Sequence, residues 1–163
     1  MFPLSYAQRR LWLLDRIDGP DAAYNLPVAF RLSGTVNADA LHAALNDVVA
    51  RHEALRTTFP DKDGEPYQNV LAPEKAVLEL PIREVTEDEV NTVIETEAGR
   101  AFALGTDLPI RAGLLRLTAT DHILLLTLHH IAFDGWSAAP LARDISVAYE
   151  ARCAGGAPVW ESL

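Results

Sequence analysis

The run Ile123-Leu124-Leu125-Leu126-Thr127-Leu128 is the most apolar stretch of the chain, interrupted only by one threonine. It is too short to cross a bilayer, and it suits a strand buried on both faces in the middle of a sheet. Directly after it come His129-His130-Ile131-Ala132-Phe133-Asp134-Gly135-Trp136-Ser137. Two imidazoles and a carboxylate are costly to bury, so the end of this strand is where an active site would be built. Side chains alternate along a strand, which sends His129 and His130 to opposite sides of the sheet. One reaches into a cleft while the other packs or hydrogen-bonds behind it. Gly135 allows the chain to turn sharply after Asp134. The residue types also admit a plainer account, with two satisfied core histidines and an aspartate capping the next helix. Adjacent strand residues diverge, and no further His or Cys stands nearby at ligand spacing, so no metal is expected.

A strand of this kind needs a sheet and a core around it. The chain has 163 residues, 49% of them hydrophobic, enough for one domain with a real core. Its net charge of −9 argues against nucleic acid or an anionic membrane as main partner. The single cysteine, Cys153, excludes an internal disulfide and suits a reducing cytoplasm. Met1-Phe2-Pro3-Leu4 has none of the regions of a signal peptide, and no apolar segment is long enough to span a bilayer.

The remaining elements follow from periodicity and caps. Ser5-Tyr6-Ala7-Gln8 is a capping box that opens a helix ending before Gly19-Pro20. Arg9 and Arg10 lie off its apolar stripe, on a solvated face. Tyr24, Leu26, Val28, Phe30 and Leu32 alternate with polar or small residues as a half-buried strand. Leu41, Ala44, Leu45, Val48 and Val49 mark an amphipathic helix with Asn37 as N-cap. A hairpin turns at Asp61 to Gly64 and returns through Tyr67 to Leu71. Leu78, Leu80 and Ile82 alternate as an edge strand beside Pro81. Thr86-Glu87-Asp88-Glu89 caps a helix extending through Val90, Val93, Ile94 and Ala101 to just before Leu104-Gly105. Ile110 to Thr118 is the strand that turns into the histidine strand, and Leu141, Ile145, Ala148 and Tyr149 mark a last helix stopped by Gly155-Gly156. The order predicts a two-layer α/β sandwich, a mixed sheet with helices on one face. The other face is open or meets a further lobe, and exposes apolar surface. The segment Gly155 to Leu163 reads as an irregular tail with an unplaced Trp160, continuing into something else.

Three stretches now taken together resemble one family. Ser5 to Leu14 (S-Y-A-Q-R-R-L-W-L-L), Arg51 to Phe59 (R-H-E-A-L-R-T-T-F) and His129 to Ser137 (H-H-I-A-F-D-G-W-S) are similar to the first three core motifs of nonribosomal peptide synthetase condensation domains. A lone His-x-x-x-Asp is weak evidence, whereas all three motifs in order are highly specific. The resemblance implies a chloramphenicol acetyltransferase-like lobe, one half of a V-shaped pair with the active site in the tunnel between them. Residues 1–156 would be the N-terminal lobe and 157–163 the start of the continuation, with the C-terminal lobe missing. It also implies an acyltransferase that forms a peptide bond between a donor thioester and an acceptor amine. Both substrates ride on phosphopantetheine arms of partner carrier proteins, within a cytoplasmic synthetase making antibiotics or siderophores, and the enzyme needs no cofactor of its own. By motif position His130 is the catalytic histidine and His129 its structural neighbour. Asp134 fixes the loop through an arginine, either Arg56 or one in the missing lobe, the Gly135 backbone amide faces the oxyanion, and Arg56 is structural support. Two alternatives share the fold or the setting: an epimerisation domain or standalone acyltransferase, and a noncatalytic module that docks carrier or tailoring proteins. The intact histidines argue against a cyclisation domain.

Overall fold

The period-two and period-3.6 patterns become eight strands and four helices along residues 2–161, which the computed structural model describes. In chain order they are β1 (Phe2–Pro3), α1 (Tyr6–Asp18), β2 (Asn25–Ser33), α2 (Ala38–Arg51), β3 (Thr57–Thr58), β4 (Asp61–Lys62) and β5 (Glu65–Val70). There follow β6 (Ile82–Glu84), α3 (Glu87–Ala98), β7 (Ile110–Thr118), β8 (Asp121–His129) and α4 (Ala138–Cys153). The main sheet has the order β2-β8-β7-β6, with β8 antiparallel to both neighbours and β6 parallel to β7. The apolar run is thus an inner strand, and every residue from His122 to His129 is buried.

Alternation along β8 divides the core in two. Leu124, Leu126 and Leu128 pack with Ile110 and Leu114 of β7 under Leu45, Val48, Ile145 and Ala148 of α2 and α4. Burial of each such leucine contributes roughly 1.5–3 kcal/mol. On the opposite face Ile123 and Leu115 pack against Val85 and against Val90 and Val93 of α3. The mixed α/β sheet expected from the sequence is present, and its second face is partly roofed by α3 instead of standing open. The large exposed apolar side chains lie mostly elsewhere, with Tyr6, Leu13 and Ile17 on α1 and Trp136 in the loop after β8.

A smaller sheet joins β1, β3 and β4 to β5. Its β4–β5 turn places Asp63 and Gly64 at φ 55° and 85°, the double left-handed pair that a two-residue hairpin demands. Next to it, the Trp12 indole N–H of α1 donates to the Phe59 carbonyl (3.0 Å). Trp12 also packs with Phe59, Phe102, Leu104 and Ile131. The N-terminal helix and the segment after β8 therefore meet in one cluster, although more than a hundred residues separate Trp12 from Ile131.

Three expectations about elements change. Helix α3 ends at Ala98, short of Leu104, because Gly99 follows and the Asn25 amide takes the carbonyls of Ala98 (2.8 Å) and Arg100 (2.7 Å). Phe102 and Leu104 are thereby released into the cluster around Trp12. Only Ile82–Glu84 forms the edge strand. Leu78 instead has its backbone N–H and C=O bonded by the Asn46 side chain of α2, at 2.8 and 3.0 Å, which takes the place of a strand partner. Trp160 lies in the tail but is not loose, since the Arg51 guanidinium stacks on its ring at 4.6 Å.

Candidate functional site

At the end of β8 the backbone assigns different protonation patterns to two adjacent histidines. His129 is 2% exposed, and its Nδ1 accepts the Ile131 backbone N–H at 3.1 Å. Neutral His129 must therefore carry its proton on Nε2. His130 is exposed at the turn, its own N–H donating to Tyr24 C=O (2.9 Å). Its Nδ1 lies 2.8 Å from the Phe133 carbonyl, which only accepts, so Nδ1 carries the proton and Nε2 keeps a bare lone pair. One imidazole is locked as an internal acceptor, and the other presents a base to solvent.

Electrostatics reinforces the division. Burial, and secondarily the charge of His130, push the pKa of His129 down from 6.5 to about 4. His129 thus stays neutral when folded, while an unfolded chain would protonate it. The unfolded state then binds more protons between about pH 6.5 and 4, so stability contributed by this group is full above that window and lost as pH falls through it. Denaturant melts across this range should show a falling limb that His129→Gln flattens. An unchanged slope in the variant would contradict the assignment.

Asp134 differs from expectation. It is exposed, and its Oδ1 accepts the Ser137 N–H (3.0 Å) and hydroxyl (2.6 Å). The Ser137 hydroxyl first, and then backbone N–H groups, hold its carboxyl below the usual carboxylate range. Asp134 caps a 3-10 turn, Gly135–Ser137, that leads into α4. A cap three residues away is a local bond that closes with little loop entropy, and it engages Oδ1 without an arginine. Arg56 is engaged elsewhere, donating to the Ala50 and Leu71 carbonyls and pairing with Glu53. It braces the end of α2 against β5, not the loop. Asp134→Ala should accordingly give only a small drop in Tm, as for loss of an exposed cap. A collapse of the fold would mean that Asp134 has a buried partner.

Gly135 does not use a left-handed conformation, since the positive-φ glycines are Gly19, Gly34, Gly64 and Gly155. A Cβ there would meet nothing within 4 Å, so the position is open. As first residue of the turn, its N–H has no partner within that turn. Beside it Trp136 is 91% exposed.

A second charged centre lies behind the loop. Asp144 Oδ2 accepts from Arg51 Nε at 2.9 Å and pairs with His52 Nε2 at 2.8 Å. The Asp144 side chain is only 5% exposed. Burial alone would raise its carboxyl pKa, but the bonds from His52 and Arg51 outweigh it and leave the group ionised and low. Arg51 also donates to the Glu161 carbonyl (2.9 Å). The start of the Arg51 to Phe59 stretch is thus tied to α4 and the tail. This pairing was not foreseen, yet a signal was present. Asp144 stands with Leu141, Ile145 and Ala148 on the buried stripe of α4, where a charge requires a partner.

A cavity of about 500 Å³ lies not at His130 but on the α3 face of the sheet, lined in part by Gly113, Leu125 and Thr127. Among the described residues no group of three His, Cys, Asp or Glu side chains is placed to hold a metal. No helix among them is long and apolar enough to cross a membrane.

A mixed α/β lobe with a His-His-x-x-x-Asp-Gly loop at the end of its inner strand defines the class. The family model for the condensation domain matches residues 1–160, and the chain belongs to that family. Among relatives, it is 48% identical over 161 residues to the probable non-canonical nonribosomal peptide synthetase CymA of Salinispora arenicola, covering 99% of this chain and 2% of that protein. It is also 48% identical over 164 residues to the isonitrile lipopeptide synthase of Mycobacterium tuberculosis, covering 99% of this chain and 6% of the synthase. The chain is thus a small part of the length of the synthetases it matches. Among solved structures, the X-domain from teicoplanin biosynthesis superposes with a TM-score of 0.91 at 38% identity, over 99% of this chain and 35% of that one. The same X-domain has also been solved in complex with OxyB.

Proposed function

We propose that this chain is the catalytic-loop lobe of a condensation domain that joins a carrier-bound donor thioester to the amine of a carrier-bound aminoacyl acceptor. The observation that carries the reading is the bare Nε2 of His130, held by the Nδ1–H bond to Phe133. The acceptor amine attacks the thioester carbonyl, and Nε2 takes its proton or orients it. The tetrahedral oxyanion draws on the free N–H of Gly135. Collapse breaks the C–S bond, and the donor's phosphopantetheine thiolate leaves with the proton held by His130. A thioester is already activated, so holding two tethered groups at attack distance contributes as much as the proton transfer. His129 and Asp134 shape the loop. Arg56 braces the scaffold behind it.

In this reading residues 1–156 form the N-terminal lobe, 157–163 lead towards the C-terminal lobe, and the second lobe supplies the opposite wall. The partners are the donor and acceptor carriers with their phosphopantetheine arms and the neighbouring synthetase domains. The lobe brings no cofactor of its own. The lone, exposed Cys153 is in keeping with a reducing cytoplasm. The test combines the complete domain with loaded donor and acceptor carriers and follows amide product by mass spectrometry. The complete domain should form product and the isolated chain almost none. Efficient turnover by this chain alone would overturn the one-lobe reading.

The likeness to the teicoplanin X-domain favours one alternative, a docking module for a tailoring protein. Exposed Trp136, Tyr6 and Ile17 supply anchors of the kind interfaces use. No amide product from loaded carriers, together with stoichiometric binding of a tailoring enzyme, would decide for it.

A further inference from the structure

The face of the sheet that carries His129 holds a stack leading away from the loop. Arg111 of β7 pairs across the sheet with Thr127, two residues before His129 on the same face of β8. Its guanidinium donates to the carbonyls of Ala101 (3.2 Å) and Arg100 and lies 3.8 Å from the centre of the Phe102 ring. Phe102, fully buried, meets the His129 ring edge-on, with centroids 5.9 Å apart and planes at 84°. Phe102 also lines the cavity of about 500 Å³, so its ring touches both that cavity and His129. Beyond His129, the Nδ1 bond from Ile131 N–H sets the turn in which His130 donates to Phe133.

We propose that Phe102, clamped by Arg111, is a positioning residue for the histidine loop: it keeps the His129 ring dry and fixed, and so fixes where His130 presents Nε2. The proposal rests on the condensation reading for its rate readout only. Nothing in this stack touches the reacting atoms. An edge-to-face aromatic contact and a cation over the ring together hold the phenyl group in one orientation. The arginine cannot drift, because two carbonyls of the segment that carries Phe102 hold its fork. Removing the ring opens His129 to the cavity and to water. The burial that holds its pKa at about 4 is then relieved, and His129 begins to titrate near neutral pH. Other groups facing it are His130 beside it, Asp15 and Asp18 of α1, and Asp21 and Tyr24 of the following connection, with Arg111 behind Phe102. Burial raises the Asp15 carboxyl, and any carboxylate beside His129 favours its charged form, so burial under the ring is what keeps His129 neutral.

The experiment uses the complete two-lobed domain with histidines labelled at Cε1, the His129 resonance being assigned by its loss in His129→Gln. In the parent this resonance should stay flat from pH 7 to 5. In Phe102→Ala it should titrate within that range, and kcat for amide formation should fall roughly 10- to 100-fold at unchanged KM for both carriers. Phe102→Leu, which refills the space, should restore the flat titration and most of kcat. Should Phe102→Ala fail to fold, Arg111→Lys carries the test, since it leaves the ring in place but releases its clamp. It should lower kcat at constant KM and shift the His129 resonance. A variant with lower Tm but parental kcat, or with lower kcat and an unmoved His129 titration, overturns the proposal. A parent domain that forms no product sinks the condensation reading instead, while the titration still reports on the stack.

Discussion

In the complete domain, His130→Ala should lower the single-turnover rate of amide formation by about two to four orders of magnitude, the usual worth of a general acid–base group. The Tm should barely move. His130 is exposed, and its ring makes one hydrogen bond, to a carbonyl of its own turn. Losing it leaves no cavity and strands only the Phe133 carbonyl. His129→Ala should show the reverse order of effects. That ring fills a buried site between Phe102 and Tyr24 and accepts the Ile131 N–H. Its removal costs stability first, and rate only through the disturbed loop. Rapid-quench product analysis beside thermal melts separates the two. Lost catalysis without unfolding in His129→Ala, with parental rate in His130→Ala, would reverse the assignment.

The largest stability loss is expected at Asp144. Asp144→Ala removes the only carboxylate that pairs with Arg51 in the described structure, and the Arg51 side chain is just 8% exposed. An uncompensated buried guanidinium costs about 3–5 kcal/mol when its partner is deleted. For a chain of this size that corresponds to a fall in Tm on the order of 10 °C. Asp144→Asn should be milder, because the amide oxygen still accepts one of the two bonds. Equal Tm values for parent and Asp144→Ala would mean that Arg51 finds water, or that the tail around Trp160 moves aside. The expected loss is structural: it should appear in melts of the lobe whether or not carriers are present.

How far the sequence sufficed can be seen residue by residue. The unbroken run Ile123, Leu124, Leu125 and Leu126 announced an inner strand because only a strand flanked by others tolerates apolar residues on both faces. Strand alternation correctly separated buried His129 from exposed His130. The caps at Ser5, Asn37 and Thr86 also form, since such bonds depend on a few neighbouring residues. Long-range polar pairing was not legible. Asn25 holding the end of α3, Asn46 standing in for a strand beside Leu78, and Asp144 between Arg51 and His52 all join residues distant in the chain, which periodicity does not report. At Asp134 the capping reading is the one the turn displays, with Ser137 three residues on as its partner among the described residues. The tautomers of the two histidines were equally hidden, because they depend on backbone atoms of Ile131 and Phe133 that only the folded turn brings within reach.

Those tautomers are the point on which the account turns. Nitrogen-15 spectra of the imidazoles in the complete domain at pH 8, assigned with His129→Gln and His130→Gln, read them directly. The account predicts a proton on Nδ1 and a bare Nε2 for His130, with the opposite arrangement for His129. A proton on Nε2 of His130 in the neutral ring would contradict it, because the cleft would then be offered a donor where the chemistry needs a base.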